Sequence, residues 1–114
     1  MTMSEHFAIA RQSVVDGAGR STVLRLSGEF DLAARDALRE AMVRAAASGS
    51  GVTVDLGAVT FLDSESLGAL VDGYHAARLA DAGFRLVNAR GAVLRVLEVT
   101  GMLTLENPDR PTTS

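Results

Sequence analysis

VTVDLGAVTFLDSESLGALVDGYHAAR, residues 52–78, is the stretch on which the fold turns. VTVDL at 52–56 has the β-branched, apolar make-up of a short strand, and GAVTFLD reads as the connection out of it. Beyond it, Leu67, Leu70, Val71 and Tyr74 recur with the spacing of a buried helical face. That helix is expected to begin near Ser64 and to stop at 81–83. Asp63 or Ser64 is placed to cap it, with a side-chain oxygen taking an orphan backbone N–H of the first turn. Glu65 suits the positive end of the helix dipole. A strand handing over to a helix in this way is half of a βαβ unit.

Working outward, the same grammar repeats. FRLVN at 84–88 reads as the next strand. Residues 92–99 read as a helix with Val93, Leu94, Val96 and Leu97 apolar and Arg95 and Glu98 polar, closed at Thr100 and Gly101. MLTL at 102–105 could add a short last strand, and NPDRPTTS at 107–114 is a polar tail, expected to be mobile. Toward the N-terminus, residues 7–15 and 21–26 alternate around the turn residues DGAGR and read as a hairpin. SGEFD, 27–31, is expected to break the second strand. Asp31 is placed to cap a helix over 32–47, with Leu38, Met42 and Ala45 on one face, and SGSG at 48–51 ends it. The order is ββαβαβα: an α/β domain over 5–106 with an open mixed sheet, an N-terminal hairpin followed by right-handed crossovers, and helices mainly on one face.

Composition narrows the function. Apolar residues make up 47% of the 114-residue chain and charged residues 22%, as in an ordinary globular domain. There is no cysteine, which removes disulfides, thiolate metal sites and thiol catalysis and fits a reducing compartment. The N-terminus lacks the pattern of a secretory signal, and no apolar run is long enough to insert directly into a membrane. Net charge is −3 and the five aromatics are scattered, which disfavours nucleic acid as a partner. All eleven basic residues are arginine.

Few residues could carry chemistry. His6, in an N-terminus expected to fray, and His75, on a helix beside Tyr74, have no metal-ligand spacing with each other or with carboxylates. No nucleophile elbow, phosphate loop or zinc motif is present. Ser64 has no plausible base, so no enzyme, metal or cofactor is expected. What remains is the Asp-Ser-Glu-Ser cluster at 63–66. As a plain helix cap it needs no further function. At the carboxyl edge of a parallel sheet, however, a serine hydroxyl is open to modification. Phosphorylation would add about −1.5 to −2 charge beside Asp63 and Glu65, tolerable at a helix N-terminus but not under a docked partner.

Three blocks then carry a resemblance that runs from about residue 7 to 105. LSGEFDLAARDALREAM (26–42), the 52–78 stretch and FRLVNARGAVLRVLEVTGMLTL (84–105) are similar, in order, to the blocks of the STAS family. These are its Gly-Glu-x-Asp turn and first helix, its Asp-Ser signature and second helix, and its third helix with a Leu-Glu-x-Thr-Gly ending. The branch resembled is that of the anti-sigma factor antagonists. The resemblance implies a cytoplasmic regulator that binds an anti-sigma factor of the serine-kinase type and frees a sigma factor. It implies phosphorylation at Ser64 to break the complex, and a serine phosphatase to restore it. It places Glu29, Asp31, Asp63, Ser64, Glu65, Ser66 and Gly68 at the partner surface, with Ser64 also capping its helix when unmodified. The family's usual Asp-Ser-Ser-Gly-Leu-Gly is Asp-Ser-Glu-Ser-Leu-Gly here, so Glu65 stands for a serine and Ser66 for a glycine. Ser66 is a second possible acceptor. The alternative within the family is a stand-alone accessory subunit of a lipid-type ABC transporter, in which Ser64 would be only a cap.

Overall fold

The computed structural model describes residues 2–3, 6–17, 19–48 and 51–102. Strands β1 (Thr2–Met3), β2 (Phe7–Asp16) and β3 (Gly19–Phe30) precede α1 (Leu32–Ala47). There follow β4 (Gly51–Leu62), α2 (Ser64–Leu79), β5 (Phe84–Val87) and α3 (Gly91–Thr100). One sheet runs in the order β1-β2-β3-β4-β5. The first two pairings are antiparallel, and β3–β4 and β4–β5 are parallel. The hairpin, the mixed sheet and the three helices agree with expectation. The two-residue β1 has no signal in the sequence. The expected 102–105 strand and the polar tail lie outside the described residues except for Met102, which is buried in the turn after α3.

Alternation builds the core. Thr22, Leu24 and Leu26 on β3, Val52, Val54 and Leu56 on β4, and Phe84 and Leu86 on β5 point to one side and are buried. The apolar ones among them, all but Thr22, join Ala34, Leu38, Met42, Ala45, Ala69, Leu70, Ala77, Val93 and Leu97 of the helices in one cluster. Each fully buried Leu or Phe stabilises the fold by about 1.5–3 kcal/mol. On the other side of the sheet Arg25, Asp55 and Arg85 remain half-buried or exposed, so the helices cover one face, as expected.

Three expectations need correction. SGEF does not break β3, which runs on to Phe30, and GAVTFL is not a connection but the second half of β4. Both errors have one cause. Twelve residues of β4 face ten of β3 through two register shifts, one between Arg25 and Ser27 and one between Gly28 and Glu29. Each inserts an extra β4 residue, a β-bulge, so that the buried positions of β4 fall at Val52, Val54, Leu56, Val59 and Leu62. The spacing slips from two to three and the alternation disappears. The third correction is His6. Its carbonyl oxygen accepts the Glu29 N–H at 2.8 Å, which ties the start of β2 to the end of β3. Gly28, at φ +91°, permits this approach, because a Cβ there would collide with that same carbonyl.

α2 also buries a slightly different stripe from the expected one. Leu70 is in the core, but Leu67, Val71 and Tyr74 are only half-buried, and the fully buried positions include Ser66 and Gly73. Close packing of α1 is the reason. A methyl on Gly73 would stand 2.6 Å from Met42 Sδ and 2.9 Å from its Cβ.

Candidate functional site

β3 and β4 end side by side, with Phe30 paired to Leu62. The next residue on each strand is an aspartate, and each aspartate caps a helix. Asp31 Oδ1 accepts the Ala33 N–H at 3.0 Å, and Asp63 Oδ1 accepts the Ser66 N–H at 2.9 Å. Asp31 thus holds its expected place. At the second junction the cap is Asp63 and not Ser64, which is already the first residue of α2. The carboxylate takes the cap because the extended backbone at 63 (φ −96°, ψ 179°) aims its side chain back over the first turn.

Three contacts bind the two junctions together. The Asp63 N–H donates to the Phe30 carbonyl at 3.1 Å. The Ser66 hydroxyl donates to the Asp31 carbonyl at 3.3 Å. Arg35, near the start of α1, places Nη1 3.6 Å from Glu65 Oε2. The two positive helix ends therefore form one edge, overlaid by the carboxylates of Asp31, Asp63 and Glu65, with Glu29 exposed beside it on β3.

The residues grouped by the sequence separate here by accessibility. Ser64 is exposed, and its hydroxyl bonds to no described residue. Ser66 is fully buried with its hydroxyl engaged, so Ser64 is the one of the pair that an enzyme can reach. Gly68 lies one turn beyond Ser64 on the same solvent-facing stripe, and a Cβ there would meet nothing within 4 Å. Two neighbours went unnoticed in the sequence. Leu32, next to the Asp31 cap, is 59% exposed, and Phe61, opposite Glu29 and two residues before Asp63, is 50% exposed. Large apolar side chains left in water beside a junction of this kind are a surface feature that alternation alone could not locate, because the second bulge sets the direction of Phe61.

Asp55 forms a second polar centre, on the sheet face without helices. Its Oδ1 accepts the Gly57 N–H at 2.9 Å and Asn88 Nδ2 at 3.1 Å, and Arg25 Nε lies 3.9 Å from Oδ2. The Gly57 N–H, the Asn88 amide and the Arg25 charge hold this carboxyl below its usual range, against the opposing effect of partial burial. It staples the first bulge of β4 to the end of β5. A lone aspartate in VTVDL was the available sign.

Among the described residues no group of three or more His, Asp or Glu side chains is arranged to hold a metal. No helix there is long and apolar enough to cross a membrane.

Comparison with known proteins places the fold among known ones. The chain is 27% identical over 79 residues to the anti-sigma-B factor antagonist of Bacillus subtilis, covering 69% of this chain and 72% of that one. It superposes on an anti-sigma factor antagonist from Mycobacterium paratuberculosis with a TM-score of 0.66 and 28% identity, covering 83% and 80% of the two chains. At 20% identity it shares the fold of the anti-sigma factor antagonist SpoIIAA. The TM-score is 0.71 for the unphosphorylated form, over 86% of this chain and 84% of that one. For the phosphorylated form of the Bacillus protein it is 0.63, over 83% and 85%. The family described as "Mlab, STAS domain" matches residues 13–106, and the chain therefore belongs to the STAS-domain family.

Proposed function

We propose that this protein is an anti-sigma factor antagonist whose binding surface is the paired Asp31/Asp63 edge and whose switch is Ser64. The observation that carries the reading is the exposed, unengaged Ser64 hydroxyl in the first turn of α2, on an edge that also exposes Leu32 and Phe61. In the unmodified state the edge offers a neutral hydroxyl, the bare backbone at Gly68 and two apolar anchors to an anti-sigma factor. Its carboxylates favour a partner with a basic rim. Binding would occupy the anti-sigma factor and release its sigma factor, which places the protein in the cytoplasm.

The off-switch follows from charge. A partner of the serine-kinase type transfers the γ-phosphoryl group of a nucleoside triphosphate to Ser64 Oγ. The nucleoside diphosphate leaves, and the hydroxyl proton passes to a base of the kinase. The new dianion stands at a helix N-terminus, where the protein itself tolerates it. Covering it with the former partner would bury unpaired charge, so the complex separates. A serine phosphatase would reverse the step by hydrolysing the phosphate ester, returning the hydroxyl and inorganic phosphate.

The test uses the full chain as bait in lysate of the organism that encodes it, with Ser64→Ala and Ser64→Glu in parallel. We expect the Ala bait to retain an anti-sigma kinase that the Glu bait loses, with at least a tenfold difference in affinity for the purified pair. Equal retention by both baits would overturn the switch. A transporter ATPase held by both would replace the reading with that of a transport subunit.

A further inference from the structure

Resting on the reading of Ser64 as a phosphoacceptor, we propose that Arg35 of α1 is the residue that receives the phosphate, exchanging Glu65 for it. Arg35 is the basic group that bridges the two helix starts. Its Nε lies 3.2 Å from Asp36 Oδ1 and its Nη1 3.6 Å from Glu65 Oε2. Behind it Arg39 continues the series, with Nη2 3.5 Å from Asp36 Oδ1 and Nη1 3.9 Å from Asp72 Oδ2. The result is a ladder of alternating charge along the α1–α2 seam: Glu65, Arg35, Asp36, Arg39, Asp72. Its outer end is Glu65, the residue that follows Ser64.

Three features make Arg35 movable toward that end. Its side chain is 36% exposed and Glu65's is 49% exposed, so water weakens the bond that must be given up. Glu65 is a monoanion, whereas phosphoserine carries up to two charges and three oxygens for a guanidinium to grip. The hydroxyl to be modified is unengaged, so no competing contact fixes where the phosphate turns. Arg35 would then hold the phosphate against α1 and set Glu65 loose in the solvent. The switch would thus alter both helix starts instead of adding charge at one point. Asp31, Asp36, Asp63 and Glu65 all oppose the phosphate electrostatically, and Arg35, already paired with the Glu65 that follows Ser64, with Arg39 behind it, would supply compensating charge.

The test is a ³¹P NMR pH titration of the full chain carrying phosphoserine at position 64, installed during translation so that no kinase is needed. Replacing Arg35 with Gln should raise the midpoint of the second phosphate ionisation by roughly half a pH unit, because the cation favours the dianion. Arg35→Lys should recover most of the shift. Arg44→Gln, which removes an equal charge from the far end of α1, should leave the midpoint in place. Coincident titrations of the wild type and Arg35→Gln would overturn the proposal, and so would an equal shift with Arg44→Gln. The outcome does not depend on whether cells phosphorylate Ser64, so failure here is distinct from failure of the switch itself.

Discussion

Position 66 is where this chain departs from the usual family signature with a visible structural consequence. The serine hydroxyl is fully buried and donates to the Asp31 carbonyl, which also accepts the Ala34 N–H at 2.9 Å. Because the carbonyl keeps a second donor, losing the hydroxyl removes one bond without orphaning a buried group. Ser66→Ala should therefore lower stability by about 0.5–1.5 kcal/mol. Ser66→Gly should cost several tenths more, because glycine is the poorer helix former. Urea midpoints of the three proteins check both, and a Ser66→Gly protein as stable as wild type would refute the tether. The cap at Asp31 was legible as an aspartate before an apolar run, and the 63–64 junction was legible as a pair. Choosing Asp63 over Ser64 needed the backbone direction at 63. The burial of Ser66 was not legible, since serine is mostly a surface residue and only the closeness of α1 encloses this one.

At the scale of the element, β4 shows how a correct fold class can accompany wrong strand ends. Val52, Val54 and Leu56 announce a strand by alternation, whereas Val59 and Leu62 continue it at intervals of three and read as a loop. Two bulges account for the difference, and both are long-range features: one depends on Asp55 gripping Gly57 and Asn88, the other on Gly28 meeting the His6 carbonyl. The helices were easier to read because caps and apolar spacing are local. The Asp55 staple makes the strand sensitive to acid. Its carboxyl is depressed in the folded state, chiefly by the Gly57 N–H and the Asn88 amide. Such a group contributes stability above its unfolded pKa of about 3.9 and loses that contribution as pH falls through the lower folded value. Asp55→Asn should cost about 1 kcal/mol at neutral pH. The gap between the two proteins should narrow below about pH 4, because protonation then removes the same charge from the wild type. Urea midpoints between pH 6 and 3 report this, and a gap that stays constant across the range would refute the staple.

At the scale of the molecule, one edge of the sheet gathers what the rest of the surface disperses. The chain carries a net charge of only −3, and arginines elsewhere offset most of its acids. Around the paired helix starts, however, Glu29, Asp31, Asp63 and Glu65 lie close together in the fold, Arg35 pairs with Glu65, and Leu32 and Phe61 are left exposed nearby. Charge of one sign around apolar anchors divides the work of association. The carboxylates act at long range and speed encounter with a basic partner, while the anchors act only on contact and slow departure. Two substitutions would separate these contributions for a partner captured by the Ser64→Ala bait. Glu65→Gln should lower the association rate a few-fold at low salt, and that difference should fade as ionic strength shortens the Debye length to about 8 Å near 0.15 M. Phe61→Ala should leave the association rate and its salt dependence alone but raise the dissociation rate by about tenfold, the effect of losing roughly 1–2 kcal/mol of buried aromatic contact. Since Phe61 is already half in water, the same substitution should change the unfolding midpoint only slightly. Surface-plasmon rates across a salt series decide the matter. If Phe61→Ala leaves both rates unchanged while the protein stays folded, the partner does not dock on this edge, and the exposed phenyl ring belongs to some other contact.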